Sequence, residues 1–281
     1  MPLDHWTQSR VACGRSDGTQ RHSRGAAFCT MPFQSIEPRR LYRQIADQIR
    51  DLIRRGEYTA GSRLPPERDL ARQLGVSRPS VREALIALEV EGLVEVRIGS
   101  GIYVRAQDGD AAAGAAEAAA GPFELLRARY VIEAECAALA AKSARRAQVQ
   151  AIADALDEME QEMEAGREPL PCDRLFHLRI AEATGNGALV HVIKLLWDER
   201  TGPLFSRLEH HYDSPGLWRS AMIEHRKVLE SIAAHDPDAA RAAMQRHLDH
   251  AYKRFSKGWN ARTSPYAGAD GRHRAASRRA V

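Results

Sequence analysis

No run of 18 consecutive apolar residues occurs in this 281-residue chain, so no membrane-spanning helix is expected. The first 30 residues are polar, carry several arginines and have no apolar central block, so they do not read as a secretory signal. The four cysteines, Cys13, Cys29, Cys136 and Cys172, show no C-x-x-C spacing, which points away from a disulfide framework and toward a reducing cytoplasm. No separate acid–base motif such as H-E-x-x-H is present. Neither sign of charge dominates: the net charge is +4. Residues 37–105 carry 13 Arg against 10 acids, and residues 123–257 are mildly acidic. Contact with nucleic acid would therefore rest on a local patch, not on bulk charge.

What is present is most informative between residues 63 and 104, RLPPERDLARQLGVSRPSVREALIALEVEGLVEVRIGSGIYV. Leu70, Ala71 and Leu74 share one face of a short helix over Glu67–Leu74, and Gly75 ends it as a left-handed cap. Ser77 can cap the next helix, with Pro79 in its first turn, where a missing N–H is harmless. Val81, Leu85 and Leu88 then recur at the spacing of a buried stripe. Residues 93–104 alternate, turn at Gly99-Ser100-Gly101 and alternate again, which predicts a β-hairpin. Helix, tight turn, helix and hairpin is the order of a winged helix-turn-helix. Arg78 and Arg82 lie four apart on the second helix, whose start enters the major groove in such domains. Arginine there can grip guanine O6 and N7, or a phosphate.

The run LPPERDLARQLGVSRPSVREAL resembles the signature of the GntR superfamily of bacterial transcription regulators. Its continuation LEVEGLVEVRIGSGIYV is similar to the FadR subfamily, especially its hexuronate-responsive regulators. The resemblance implies DNA contacts from Arg68, Ser77, Arg78, Ser80, Arg82 and Gly99. Pro79 departs from members that carry a hydroxyl residue at that position.

Around this domain the chain divides further. Residues 1–36 lack any period and read as a disordered arm or as a misassigned start, with Met31 the alternative first residue. Leu41, Ile45, Ile49 and Leu52 mark the first helix, ending at Gly56. Residues 106–122 are an Ala/Gly linker, either a coiled tether or an alanine-rich helix. From 123 to 257 the pattern predicts six helices, over 123–143, 146–165, 171–184, 187–211, 216–235 and 237–257. The fold class is thus mostly α, a winged domain followed by a helical bundle large enough to enclose a ligand. The tail 258–281, with five Arg against one Asp, reads as a basic disordered segment.

Within the bundle, Asp173 and His177 are four apart and share a helix face, which suits a plain surface pair as well as a ligand pair. His225 and His247 each lie 11 residues from Asp236, at the break between two helices. If those helices fold back on each other, one carboxylate and three imidazoles converge, a set suited to Zn, Ni, Mn or Fe. Residues 123–250 are similar to the FCD domain of the FadR subfamily, through DRLFHLRIAEATGN, EHRKVLESIAAHDPDAARAAM and QRHLDH. The resemblance implies a divalent metal, zinc first, on Asp173, His177, His225 and His247. It also implies that Arg129 holds an effector carboxylate, although a simple pair with Glu133 fits the spacing equally. Asn186 matches a family asparagine, or is simply part of a Gly185-Asn186-Gly187 turn. His191, His210, His211, His235 and His250 are expected on the surface.

These readings imply a cytoplasmic, homodimeric transcription regulator, a repressor in most of the family. It would bind a near-palindromic double-stranded operator and respond to a small organic acid such as a uronate. The alternative is a metal-dependent enzyme fused to a DNA-binding module, since one carboxylate and three histidines can also activate water.

Overall fold

The computed structural model describes residues 40–106, 120–212 and 215–257. The N-terminal segment, most of the linker and the basic tail lie outside the described residues.

Helix α1 (Leu41–Arg54) buries Tyr42, Ile45, Ala46 and Ile49, while Leu41 faces solvent. Helix α2 (Glu67–Leu74) stops at Gly75, whose φ of 67° is the left-handed cap the sequence predicts. Ser77 Oγ accepts the Ser80 N–H and opens α3 (Arg78–Val90). Strands β1 (Val94–Arg97) and β2 (Gly101–Val104) pair antiparallel, with Val94 opposite Val104 and Arg97 opposite Gly101. Gly99, at φ 74°, makes the wing tip. Leu64 N–H donates to Ile102 O and fastens the hairpin to the chain before α2.

The helical domain comprises α4 (Pro122–Ser143), α5 (Arg146–Glu164), α6 (Leu170–Ala183), α7 (Gly187–Arg200), α8 (Pro203–His210), α9 (Pro215–Ala233) and α10 (Pro237–Ser256). Helix α4 lies at the centre, packed on α6, α7, α9 and α10. The small residues Ala134, Ala137, Ala140 and Ala141 of α4 are buried and let neighbouring helices approach closely. Asp236 Oδ1 accepts the Ala239 N–H, so the turn between α9 and α10 is capped on its second side. One expectation is corrected: residues 187–211 form two helices, not one. Pro203 lacks the N–H that would continue α7, and a side chain on Gly202 would meet Glu199 O at 3.0 Å. The bundle therefore has seven helices among the described residues, not six.

Helix α3 is buried all round from Val81 to Leu88 because it packs on α1 on one side and on the helical domain on another. Phe123, Leu126, Leu204, Phe205, Leu208 and Phe255 continue the core of the winged domain without a break. At the join, Phe123 N–H donates to Glu83 Oε1 at 2.7 Å, so a side chain of α3 caps α4. Gly121 makes this approach possible, since a Cβ there would lie 2.6 Å from Glu83 Oε1. Burial is the main influence on Glu83 and, against the pull of that hydrogen bond, raises its carboxyl from 4.5 to about 7. The folded state therefore holds a proton that the unfolded chain releases above pH 4.5. Stability contributed by this group is complete below 4.5 and is lost as pH rises through about 7. Urea unfolding across that interval should show stability falling with pH in the wild type and a flatter profile in E83Q. Identical profiles would remove Glu83 from the account.

Candidate functional site

Three helices bring the metal-type residues together. Helix α6 presents Asp173 and His177 on one face, α9 presents His225, and α10 returns antiparallel with His247. His225 Nε2 and His247 Nε2 are 3.2 Å apart. One nitrogen from each of His177, His225 and His247 lies within 4.8 Å of the others. Asp173 Oδ1 is 3.5 Å from His177 Nε2 and 3.3 Å from His225 Nε2. All four residues are buried. Asp173 Oδ1 has no hydrogen bond among the described residues, although burial makes such an oxygen costly. A cation among three imidazoles and this carboxylate would satisfy it, so the donor set fits a divalent metal.

An outer ring of carboxylates orients the histidines. His177 Nδ1 lies 2.6 Å from Glu133 Oε2, and His247 Nδ1 lies 2.9 Å from Glu224 Oε2. The hydrogen bond to Glu224 fixes the His247 ring and leaves its Nε2 aimed inward, while Glu133 sets a negative charge against the His177 ring. Glu133 also accepts from Arg129 Nε at 2.8 Å and from Trp197 Nε1 at 3.1 Å.

The electrostatics follow from these contacts. Burial opposes ionisation of Asp173 and Glu133, but His177, His225 and Arg200 around the first, and Arg129 and His177 around the second, hold both below the usual carboxylate range. Burial disfavours a proton on His177, yet Glu133 and Asp173 outweigh it and raise its pKa. His225 and His247 are pushed down, first by burial, then for His225 by its neighbour His247. Two of the three imidazoles thus favour the neutral form that a metal ligand needs, and at His177 a metal would compete with a more tightly held proton.

A cavity of about 40 Å³ is lined by Asp173, His225, His247, Arg129, Arg200 and Glu209, among others. Beside it lies a larger pocket of about 550 Å³, and the two share Glu209, Leu217, Trp218 and Phe255. Arg129 makes the pair with Glu133 that its spacing allows, and it also lines the cavity. Asn186 does not line it. Its Oδ1 accepts the Ala188 and Leu189 N–H groups and caps α7. Sequence reasoning missed the roles of Glu133 and Glu224 beside the histidines, and missed Arg200 and Glu209 altogether. The adjacency of Glu224 to His225 was the one available signal for the first pair. His211 also departs from expectation: its side chain is nearly buried and lies 2.7 Å from Glu89 Oε2 of α3. The expected surface location holds for His191, His210, His235 and His250.

On the winged domain the predicted DNA residues separate into two groups. Arg68, Ser77, Arg78 and Gly99 are exposed and Ser80 is half-buried. Arg82 is the correction: it is 0% exposed, its Nη2 lies 2.6 Å from Glu67 Oε2, and its Nη1 donates to Phe255 O at the end of α10. Arg78, 48% exposed, shares the same Glu67 at 3.0 Å. The two arginines are equivalent by helical spacing and differ because α10 covers only one of them.

A winged helix-turn-helix joined to a helical bundle with a buried histidine cluster defines the class, a DNA-binding regulator that carries a second, all-helical domain. Residues 41–104 match the family model of bacterial regulatory proteins, gntR family, and residues 124–250 match the FCD domain. The chain is 40% identical over 223 residues to the Uxu operon transcriptional regulator of Escherichia coli, spanning 77% of this chain and 87% of that one. It is 39% identical over 220 residues to the Exu regulon transcriptional regulator of Escherichia coli, spanning 76% and 83%. A third relative, the Uxu operon regulator of Haemophilus influenzae, is 35% identical over 216 residues, spanning 75% and 80%. The chain belongs to the gntR family of bacterial regulatory proteins, in the FadR subfamily that carries the FCD domain. This is a family of transcription regulators, not of enzymes. Among the described residues no helix is long and apolar enough to cross a membrane.

Proposed function

We propose that this chain is a cytoplasmic repressor that binds a near-palindromic operator as a homodimer. It leaves the operator when a small organic acid binds beside a divalent metal in the helical domain. The observation that carries the reading is the convergence of three buried imidazoles, His177, His225 and His247, with the Asp173 carboxylate beside them. Three imidazoles and one carboxylate suit zinc best, with nickel, manganese and iron accepting the same donors. When bound, the metal supplies positive charge for an anion. Similarity to Uxu and Exu regulators supports a uronate as that anion. The working units are residues 37–105 for DNA and 123–257 for metal and effector, joined by 106–122. The test is an operator titration of metal-loaded protein with D-glucuronate and D-galacturonate. Release by either supports the reading, and no release by any sugar acid counts against it.

Arg68, Ser77, Arg78, Ser80 and Gly99 form the DNA-facing set, with Arg82 as a brace beneath them. One winged domain reads one half-site, so a palindrome requires two copies. R78A is expected to keep its thermal midpoint and to lose roughly 1–3 kcal/mol of operator affinity, as for a base-edge contact. Equal affinity for wild type and R78A at matched salt would remove direct readout by this residue.

A further inference from the structure

We infer that Arg200, not Arg129, is the anchor for the effector's carboxylate, and that effector binding draws it away from Glu209. This inference rests on the helical domain being the effector site proposed above.

Arg200 is the last residue of α7 and is only 6% exposed. Its Nη2 lies 2.7 Å from Glu209 Oε1 and 3.6 Å from Asp173 Oδ2. Its Nε and Nη1 have no hydrogen-bond partner among the described residues. The guanidinium carbon is 4.8 Å from the centre of the Trp197 ring and 5.1 Å from that of Phe205, so rings hold the group in place without satisfying those donors. A buried guanidinium with two unmet donors beside a cavity is an unfilled site for oxygen acceptors. Arg129 differs, because its Nε and Nη2 both face Glu133.

The charges give the same answer. Around the cavity stand two cations, Arg129 and Arg200, and three anions, Glu133, Asp173 and Glu209. Arg254 and Glu224 pair with each other at 3.1 Å and cancel. With neutral histidines the site is negative by one charge, and a divalent cation makes it positive by one. A single carboxylate restores neutrality, which favours a monoanion over a dianion. The larger pocket of about 550 Å³ adjoins at Glu209 and is lined by Arg167, Glu168, His210 and Arg219 as well. Those polar groups suit a hydroxyl-bearing chain extending from the carboxylate. The ligand class is therefore a polyhydroxy monocarboxylate.

Glu209 also links the site to DNA. It lies on α8, whose Leu204, Phe205 and Leu208 pack into the core around α3. Two residues further on, His211 meets Glu89 of α3. Exchange of Glu209 for the effector on Arg200 removes one of the ties that hold α8, the helix against which α3 rests.

The test uses the full chain, with metal content and ligand binding measured on the same samples. Calorimetry with D-glucuronate, D-galacturonate and L-lactate is run on wild type, R200Q, E209Q and R129Q. R200Q should retain wild-type metal content and lose roughly 10- to 100-fold in affinity for the carboxylate that binds wild type, as for a lost charge-assisted contact. E209Q should bind that carboxylate several-fold more tightly, because Arg200 loses its nearest anionic partner; this variant carries the test if R200Q fails to fold. R129Q should lose less than R200Q. Wild-type affinity in R200Q, no gain in E209Q, or no binding of any of the three acids to wild type would overturn the inference. A wild type that binds a carboxylate through Arg200 but holds no metal would sink the metal reading and leave this one standing.

Discussion

Replacing His225 by alanine is expected to abolish stoichiometric metal binding and, with it, the response to sugar acid. His225 has no exposed surface, and its Nε2 faces His247 Nε2 at 3.2 Å and Asp173 Oδ1 at 3.3 Å. Its pKa is pushed well below 6.5 by burial and then by His247, so no proton competes for it at neutral pH. Loss of an outer-ring partner costs a metal site roughly 10- to 100-fold in affinity. Loss of a direct ligand should cost more, so H225A should exceed E224Q, which acts only through His247. Proton linkage gives a second readout. His177 is raised above 6.5 because Glu133 and Asp173 outweigh burial, so metal competes there with a more tightly held proton. Affinity should therefore fall as pH drops, and binding should be accompanied by proton release. Metal analysis of dialysed wild type, E224Q and H225A, with calorimetry in two buffers of different ionisation heat, checks both. Wild-type metal content in H225A would show that the cluster does not hold the ion.

Arg82→Ala is expected to lower stability by about 3–5 kcal/mol, the usual cost of removing one partner of a buried ion pair. The guanidinium is 0% exposed and bonds Glu67 through Nε and Nη2, at 3.1 and 2.6 Å to the same oxygen. Its removal leaves Glu67, 8% exposed, with the half-exposed Arg78 as its remaining cationic partner among the described residues. It also frees the Phe255 carbonyl that ties α10 to α3. Lysine should rescue little, since it keeps the charge but not the planar fork that bonds both groups. Thermal and urea unfolding of R82A, R82K and R78A separates brace from reader. The first two should melt well below wild type and R78A alongside it. Wild-type stability in R82A would mean that the burial of this residue contributes nothing.

Arg78 and Arg82 also mark the limit of what local sequence conveys. Helical period places them on one face, and nothing in the period says that the end of α10, more than 170 residues away, covers the second. Local chemistry served well where local chemistry decides. Gly75, Ser77 and Gly99 fix a cap, a helix start and a wing tip because each meets a backbone requirement of its own. Half of the histidine set was legible for a similar reason: His225 and His247, equidistant from Asp236, need only the α9–α10 hairpin to meet, whereas the approach of Asp173 and His177 on α6 came from the family resemblance and not from spacing. The break at Gly202-Pro203 was overlooked because apolar residues continue across it, and the absent proline N–H outweighs that pattern. Arg200 gave no signal, since its burial depends on α7, α8 and α6 converging. Asn186 stayed open between two readings because a capping asparagine and a binding asparagine look alike in sequence, and the structure shows the cap.

The most direct test of the account is operator release measured by fluorescence anisotropy at fixed salt, on one preparation divided three ways: metal-loaded, chelator-treated, and chelator-treated with zinc restored. The account predicts that D-glucuronate or D-galacturonate releases the operator from the first and third samples and not from the second, with operator affinity before addition equal in all three. Equal release from the chelator-treated sample would contradict it.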